Sequence, residues 1–385
     1  MIRIYTFTHK KYDLPPDDLY QPLHVGRKLH GDLGYPGDDT GDNISHLNQY
    51  YSELTGIYWI WKNCKDVDYV GTSHYRRYLL DEERKLFTAE KYLSSLKEYD
   101  IITTRRVVLN NSYHYGFAAN HNIAALDMVG EVLKEKYTVS DKIHAREQSG
   151  INGPEMYPPY YETFVRLVNG PETYFGNLFV TDKKKFDAYA EWLFDIFFEV
   201  QKRIDLDTDE DDYHKRVFGF ISEFLLLVWV QANQYKALEC MVGVFGEKAE
   251  TREMKEKLAE FLKEQDIDGA KAYFMERWKS RPDIMMEASD LTGELRLIMQ
   301  IITTADHEKR NGLRTVLEQG LELPELIHIF RELNSRISHR KTLHLIDTQD
   351  DMLREIHQHN AEYADLYQQG ISDIAVLIAV KLLIQ

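Results

Sequence analysis

Short apolar strands alternate with amphipathic helices over the first 245 residues, and this alternation limits the possible folds more than any other feature of the chain. Residues Ile2 to Thr8 are rich in Ile, Tyr and Phe, which is typical of a strand. From Leu47 to Trp61, large apolar residues recur at helical spacing, and Asp68 to Gly71 predicts a second strand. The pattern therefore predicts a layered α/β architecture.

The remaining elements of this region follow from the same periodicities. We expect helices over 88–99 and 122–137, strands over 100–104 and 174–180, a long helix capped by Asp182, and a buried helix over 220–230. We expect a long loop over 13–42 before a helix that begins at Asn43 or Ser45, a mobile or substrate-facing loop over 148–161, and an exposed acidic connection over 205–212.

The composition changes after residue 246, where strand-like runs become scarce and Lys, Glu, Leu and Ala dominate. This change predicts two domains, residues 1–245 and residues 246–385. The second is expected to be mostly α-helical, either as a separate domain or as a helical layer that wraps around the first.

The overall charge and the cysteine count exclude several classes of protein. A net charge of -16 argues against a general nucleic-acid binder and against adsorption to anionic lipid, although it permits a local cationic pocket. Cys64 and Cys240 are too few for a disulfide framework or a four-cysteine zinc site. We therefore expect a protein of the reduced cytoplasm.

Two further features bear on membranes. Met1 to Tyr5 leads directly into a strand, so we expect no signal peptide, and no apolar run approaches the ~20 residues that span a bilayer. The apolar segment over 371–385 is interrupted by Asp373 and Lys381, which favours a buried helix over one on a membrane surface.

The segment Ser73 to Tyr78 carries the strongest indication of function. Its sequence, Ser-His-Tyr-Arg-Arg-Tyr, follows the strand that ends near Gly71. Ligands of open α/β sheets bind beyond the carboxyl ends of strands, and a guanidinium group there suits a phosphate.

Several motifs, in order, resemble one known family. They are Thr8–Lys10, Gly41–Ser45, Glu53–Asn63, Tyr69–Gly71 leading into His74–Tyr78, Asn177–Val180, Tyr189–Phe194 and Arg216–Glu223. Together they are similar to a family of bacterial capsular and exopolysaccharide glycosyltransferases described as a domain of unknown function (DUF4422). The resemblance covers about the first 245 residues.

The resemblance implies a GT-A-like nucleotide-sugar-binding sheet flanked by helices. It also implies transfer of a sugar, with galactose in pyranose or furanose form among the donors. Many GT-A enzymes carry an Asp-x-Asp metal motif after a central strand. Here Asp66-Val67-Asp68 stands before the strand, and His74 to Tyr78 occupies the place after it.

For such a transfer, the departing diphosphate needs positive charge and the acceptor hydroxyl needs a base. We expect Arg76 and Arg77 to hold the diphosphate, with His74 on the same face as Arg76 if the strand continues. The alternative is a structural cluster of arginines and carboxylates. Glu223 is the preferred base, or else a buried carboxylate paired with a cation such as Arg216.

Weaker candidates for the base are His214, Asp211 and Asp212, in the acidic connection. Glu53 is the one charge on an otherwise apolar and aromatic helix. We favour a role for it in bracing the arginines over an exposed position.

The donor and acceptor sites are predicted more broadly. Residues expected to contact the nucleotide are Thr8, His9, Lys10, Asp39, Asp42, Asn43 and Tyr75; helix capping is an equal explanation for Asn43, and an exposed strand end explains His9 and Lys10. Aromatic residues able to stack on acceptor sugars, or simply to pack, are Tyr113, His114, Tyr115, Tyr157, Tyr160 and Tyr161. Trp192 and Trp229 are expected in the core.

The sequence thus predicts a UDP-sugar-dependent glycosyltransferase with a lipid-linked or oligosaccharide acceptor. We expect no resident cofactor and no nucleic-acid partner. A divalent metal, contact with the inner face of the membrane and a homodimer stay open. The alternatives are a non-catalytic nucleotide-sugar-binding or scaffold subunit of a polysaccharide assembly complex and, less favoured, a nucleotidyltransferase.

Overall fold

The computed structural model describes residues 1–13, 15, 17–138, 158–207, 212–246, 249–281, 284, 293–338 and 364–384. The chain forms two compact units, Met1–Phe245 and Gly246–Gln385. The first is a mixed α/β unit, and the second is built from helices.

Three parallel strands organise the first unit. Strand β1 (Ile2–Thr8) lies between β2 (Tyr20–His24) and β3 (Tyr69–His74). Thr8 is level with His24, and Phe7 is level with His74, so the three strands end at one edge. After β1 the chain forms β2 on one side of it and later forms β3 on the other side. The crevice between β1 and β3 is therefore a topological switch point.

A closed circuit of strands completes the sheet. The end of β3 pairs with β4 (Arg77–Leu80), and its beginning pairs with β8 (Phe179–Asp182), both antiparallel. β4 pairs with β9 (Ala237–Val244), β9 pairs in parallel with β5 (Ile101–Thr104), and β5 pairs with β8. A separate two-stranded ribbon is formed by β6 (Val107–Val108) and β7 (Glu172–Thr173).

Alternate residues of the strands face two different cores. Tyr5, Ile101 and Phe179 face the larger core with most of the helices, whereas their neighbours Ile4, Ile102 and Val180 face a smaller one. The helices of this unit are α1 (Asn48–Tyr51), α2 (Leu54–Asn63), α3 (Ala89–Ser95), α4 (Tyr113–Ala118), α5 (Ile123–Tyr137), α6 (Tyr160–Val168), α7 (Lys183–Arg203) and α8 (Val217–Ala232).

Several predictions are confirmed by this arrangement. Strand β1 has the predicted bounds. The helix expected over 122–137 is α5, and the structure shows that Asn122 is its N-cap, with its side chain accepting a hydrogen bond from the Ala124 N–H at 3.1 Å. Asp182 caps α7 in the same way, with the Lys185 N–H at 2.9 Å. Trp192 and Trp229 lie in the core as expected.

Three expectations are corrected. The expected loop over 13–42 contains β2, which was obscured by Pro22. Among the strands of the described residues, β2 pairs with β1, apart from an isolated bridge between His24 and Gly37, and such an edge strand tolerates proline. The expected helix begins as a 3-10 turn over Ser45–Leu47 and is interrupted at Ser52, where φ is 50°. The strand expected over 174–180 starts only at Phe179, because Gly176 and Asn177 take positive φ values of 95° and 47°.

The second unit has its own apolar core, formed by the inward faces of its helices. These are α9 (Ala249–Lys263), α10 (Ile267–Ser280), α11 (Glu294–Arg310), α12 (Leu323–Ser338), α13 (Ala364–Gln368) and α14 (Asp373–Ile384). None of the helices in the described ranges combines the length and the apolar character needed to cross a bilayer.

Candidate active site

The segment Ser73 to Tyr78 is a tight hairpin and not a loop. His74 ends β3, Tyr75 and Arg76 form the turn, and Arg77 begins β4 directly opposite His74. The expectation that His74 shares a face with Arg76 is therefore wrong, because the chain reverses between them. Residues paired across two strands have their side chains on the same face, so His74 neighbours Arg77 instead.

His74 is anchored to the turn that precedes β8. Its Nε2 lies 2.8 Å from the carbonyl oxygen of Gly176, and a carbonyl only accepts, so Nε2 carries the proton. Burial lowers the pKa of His74, with the Glu53 charge opposing this effect and Arg77 and Arg216 adding to it. His74 is therefore a neutral imidazole whose Nδ1 is an acceptor.

Glu223 lies on α8 beside the same turn and keeps part of its surface exposed. Burial of its carboxyl group is the main cause that raises the pKa of Glu223 to about 8, and the charge of Glu53 adds to it. Arg77, the Gly176 backbone N–H and Arg216 act in the opposite direction. Glu223 is therefore poised to exchange a proton near neutral pH.

Glu53 is buried at the centre of this cluster. Asn177 Nδ2 donates to Glu53 Oε1 at 2.8 Å and to Ser222 Oγ at 2.8 Å, so one amide joins α8 to the residue before α2. Glu53 was expected to brace the arginines, but its hydrogen bond goes to Asn177, and among the described residues it forms no ion pair with an arginine. Its charge acts on His74 and Glu223.

The cluster holds two guanidinium groups. Arg216 Nε donates to Ser52 Oγ at 2.8 Å, where the unusual backbone of Ser52 turns that hydroxyl toward α8. Arg77 makes no side-chain hydrogen bond or ion pair with any residue that the structure describes. Arg76 sits in the turn, and its carbonyl accepts from the Phe245 N–H at 2.8 Å. Arg77 is thus the arginine placed beside His74 and Glu223.

Some of the residues predicted to contact the donor nucleotide border the crevice between β1 and β3, and others lie away from it. At the end of β1, the Lys10 N–H donates to Thr8 Oγ1 at 3.0 Å, which shapes the loop. The exposed ring of His9 meets Tyr75 edge to face, with 5.5 Å between ring centroids. These residues and the hairpin border the crevice between β1 and β3.

The three polar residues expected from the following loop are held mainly by structural contacts. Asp42 Oδ1 accepts from the Tyr58 hydroxyl at 3.0 Å. Asn43 Oδ1 accepts from the Ser45 N–H at 3.3 Å, a local contact just before the 3-10 turn, whose N-cap is Ile44. Asp39 lies 3.9 Å from Arg27, and its Oδ1 has no hydrogen-bond partner among the described residues.

His24, at the end of β2, was not predicted as a site residue from the sequence. The side chain is fully buried, and neither ring nitrogen has a hydrogen-bond partner in the described part of the chain. Burial lowers the pKa of His24, against the pull of Asp38. The only signal for it in the sequence was a strand that Pro22 concealed.

Of the acceptor candidates, Tyr113 and Tyr160 are packing residues. Tyr113 stacks on Phe224 at 4.1 Å, and Tyr160 stacks on Trp192 at 4.8 Å. His114 pairs with Asp127 at 3.1 Å, Tyr115 is 64% exposed, and Tyr161 packs partly against the core. Tyr157 and Asp211 lie outside the described residues, whereas His214 and Asp212 precede α8.

The Asp66-Val67-Asp68 segment does not fit a metal at this site. It lies before β3, at the edge of the sheet opposite His74, and Asp68 pairs with the N-terminal amino group. In the described ranges, no group of three His, Cys, Asp or Glu side chains has an arrangement suited to a metal ion.

Comparisons with known proteins agree with the organisation of the first unit. Residues 3–149 and 151–234 match the family model "Domain of unknown function (DUF4422)". No curated protein matches the chain. A solved structure titled as the apo form of the WbbM bifunctional glycosyltransferase is 28% identical, with a TM-score of 0.55 over 64% of this chain. The match spans only 45% of that protein. Since the family model covers more than half of the residues, this chain belongs to the DUF4422 family.

Proposed function

We propose that this protein is a glycosyltransferase that moves a sugar, galactose in pyranose or furanose form, from a UDP-sugar to a growing capsular or surface polysaccharide. The likeness to the WbbM bifunctional glycosyltransferase supports the general activity. The observation that carries the proposal is the cluster of Arg77, His74 and Glu223 beside the crevice between β1 and β3. That crevice is where open α/β sheets bind nucleotides.

In this proposal, the guanidinium groups of Arg77 and Arg216 stabilise the diphosphate. As the bond between the sugar C1 and the diphosphate oxygen breaks, negative charge develops on the departing UDP. Arg77 has no described partner of its own, so it is available to the phosphate oxygens. Arg216 is fixed by Ser52 and adds a second charge without moving.

Glu223 acts as the general base in the same scheme. The acceptor oxygen attacks C1 on the face opposite the leaving group, and its proton passes to the Glu223 carboxylate. A base with a pKa of about 8 takes up a proton readily and releases it again to solvent after each cycle. His74 stays neutral and holds the turn at Gly176 against β3.

The test is release of UDP from UDP-galactopyranose, UDP-galactofuranose and UDP-glucose, with and without a chelator. Dependence of release on Arg77 and Glu223 supports the proposal. Tight UDP binding without turnover of any donor would favour the scaffold alternative. Activity that needs a metal and is untouched by Arg77→Gln would reject the role of the guanidinium groups while leaving sugar transfer in place.

A further inference from the structure

An open groove of about 290 Å³ lies at the end of β5, and neither the family match nor the cluster above accounts for it. Its lining includes Thr104, Arg105, Val107, Phe175 and Met241. β5 runs parallel to β3, because both are antiparallel to β8. The groove therefore opens on the same edge of the sheet as the active-site cluster, on the side away from β1 and β2.

Phe175 links the groove to that cluster through the chain itself. Its ring is 44% exposed and lines the groove. The next residue, Gly176, accepts from His74 and directs its N–H toward Glu223. Phe175 is therefore one residue away along the chain from the backbone N–H that faces Glu223.

The groove wall also carries one exposed guanidinium group that is free for a ligand. The side chain of Arg105 is exposed and makes no hydrogen bond or ion pair with a described residue, whereas neighbouring Arg106 pairs with Glu239 at 2.7 Å. Thr104 is 4% exposed and its hydroxyl is buried, without a partner within the described ranges, so Arg105 is the donor that a ligand can reach. An aromatic face with adjacent unpaired donors is the combination that binds a sugar, which is apolar on one face and carries hydroxyls at its rim.

Resting on the proposed function, we propose that this groove is the acceptor subsite. The terminal sugar of the acceptor glycan packs on the ring of Phe175, and Arg105 donates to its hydroxyl oxygens. The donor then lies over β1 and β3, the acceptor over β5, and the carboxylate of Glu223 between the two. Neither Tyr113 nor Tyr160 is needed for this role, since both are occupied in packing.

The first experiment measures binding without turnover. Ligand-observed NMR is recorded for the full chain with methyl β-galactopyranoside, methyl β-galactofuranoside and methyl β-glucopyranoside. We expect a signal for at least one glycoside, a loss of at least tenfold in affinity in Phe175→Ala, and retention in Phe175→Trp. Trp278→Ala, which removes a 55% exposed aromatic ring from the second unit, is the matched control and should bind as the wild type does.

The second experiment compares acceptor-dependent transfer with hydrolysis of the donor by water. Phe175→Ala should raise the acceptor KM at least tenfold and Arg105→Gln about threefold, with smaller effects on hydrolysis. If Tyr115→Ala has the larger effect, or if glycoside binding is absent or unchanged in Phe175→Ala, the proposal is overturned. Phe175-dependent glycoside binding without UDP release would keep this site and remove the glycosyltransferase assignment.

Discussion

Each unit buries a carboxylate among cations, but the two arrangements differ in what is left unpaired. In the second unit, Asp306 accepts from Lys271 Nζ at 2.6 Å and from Arg310 Nε at 3.1 Å. Burial opposes the charged form of Asp306, yet these two cations outweigh it and lower its pKa. In the first unit, Glu223 has a raised pKa although Arg77 and Arg216 stand nearby.

Asp306 belongs to a structural ion pair, whereas the unpaired charges around Glu223 are typical of a ligand-binding site. The charges around Asp306 compensate one another by direct contact. Around Glu223, Glu53 adds a second negative charge, and Arg77 is held without a described partner. Buried charged groups without an ion-pair partner destabilise the fold, and they are found mainly at functional sites. The following predictions test that contrast, from the largest expected effect to the smallest.

Replacing Glu223 should abolish transfer without weakening the fold. Loss of a general base lowers kcat by about 10²–10⁴-fold, so Glu223→Gln should transfer at no more than ~1% of the wild-type rate. A carboxyl whose pKa rises from 4.5 to about 8 on folding stabilises the protein only at low pH, and this contribution is lost as pH rises through 8. Glu223→Gln should therefore melt above the wild type at pH 8.5, as calorimetry can measure. A variant that melts well below the wild type would point to a structural role.

Arg77 should matter more than Arg76. Removal of one charge donor to a developing oxyanion costs about 10²–10³-fold in kcat, which we expect for Arg77→Gln. Arg76→Gln is the matched control, because it removes the same charge from the adjacent turn position, and it should lose less than ~10-fold. Rates of UDP release at saturating donor decide between them. Equal losses in the two variants would show that the hairpin, and not the position of Arg77, supplies the effect.

The pH profile of the wild type should report the raised pKa of Glu223. If its carboxylate is the base, kcat/KM rises about tenfold per pH unit below the pKa of about 8 and levels off above it. Measurements from pH 6 to pH 9.5 at constant ionic strength test this. A plateau that extends down to pH 6 would contradict the assignment of Glu223 as the base.

Replacing Asp306 should affect stability alone. Asp306→Asn leaves Lys271 and Arg310 without their shared partner, but Arg310 is mostly exposed and regains water. We expect a loss of about 1–2 kcal/mol in the free energy of unfolding by urea, below the cost of stranding a fully buried charge. Transfer activity should stay within about twofold. A large loss of activity in the folded variant would break the contrast between the two clusters.

Local patterns predicted much of the fold because local chemistry decides those elements. The apolar run of β1 and the cap at Asp182 were recognisable in the sequence. The hairpin after β3 was not, since its turn residues Tyr75 and Arg76 include none of the Gly, Asn or Asp that mark tight turns.

The site was predictable only in part for a similar reason. His74, Arg77 and Glu223 carry recognisable chemistry, whereas Gly176 and Asn177 matter through their backbone conformation and long-range contacts. Asn177 meets Glu53 across 124 positions of sequence, and no spacing rule relates two such residues. Secondary-structure propensity depends on neighbours along the chain, whereas the contact between Asn177 and Glu53 is determined by tertiary packing.

The circuit of strands has a consequence for the order in which the protein matures. Among the described residues, β4 pairs with β3 at His74↔Arg77, and most of its remaining pairing is with β9, from Arg77↔Val244 to Leu80↔Met241. Synthesis proceeds from the amino terminus, so almost the whole first unit has been synthesised before β9 leaves the ribosome. The proposed nucleotide binding should therefore appear late in synthesis, and a chain that stops before Ala237 should lack it.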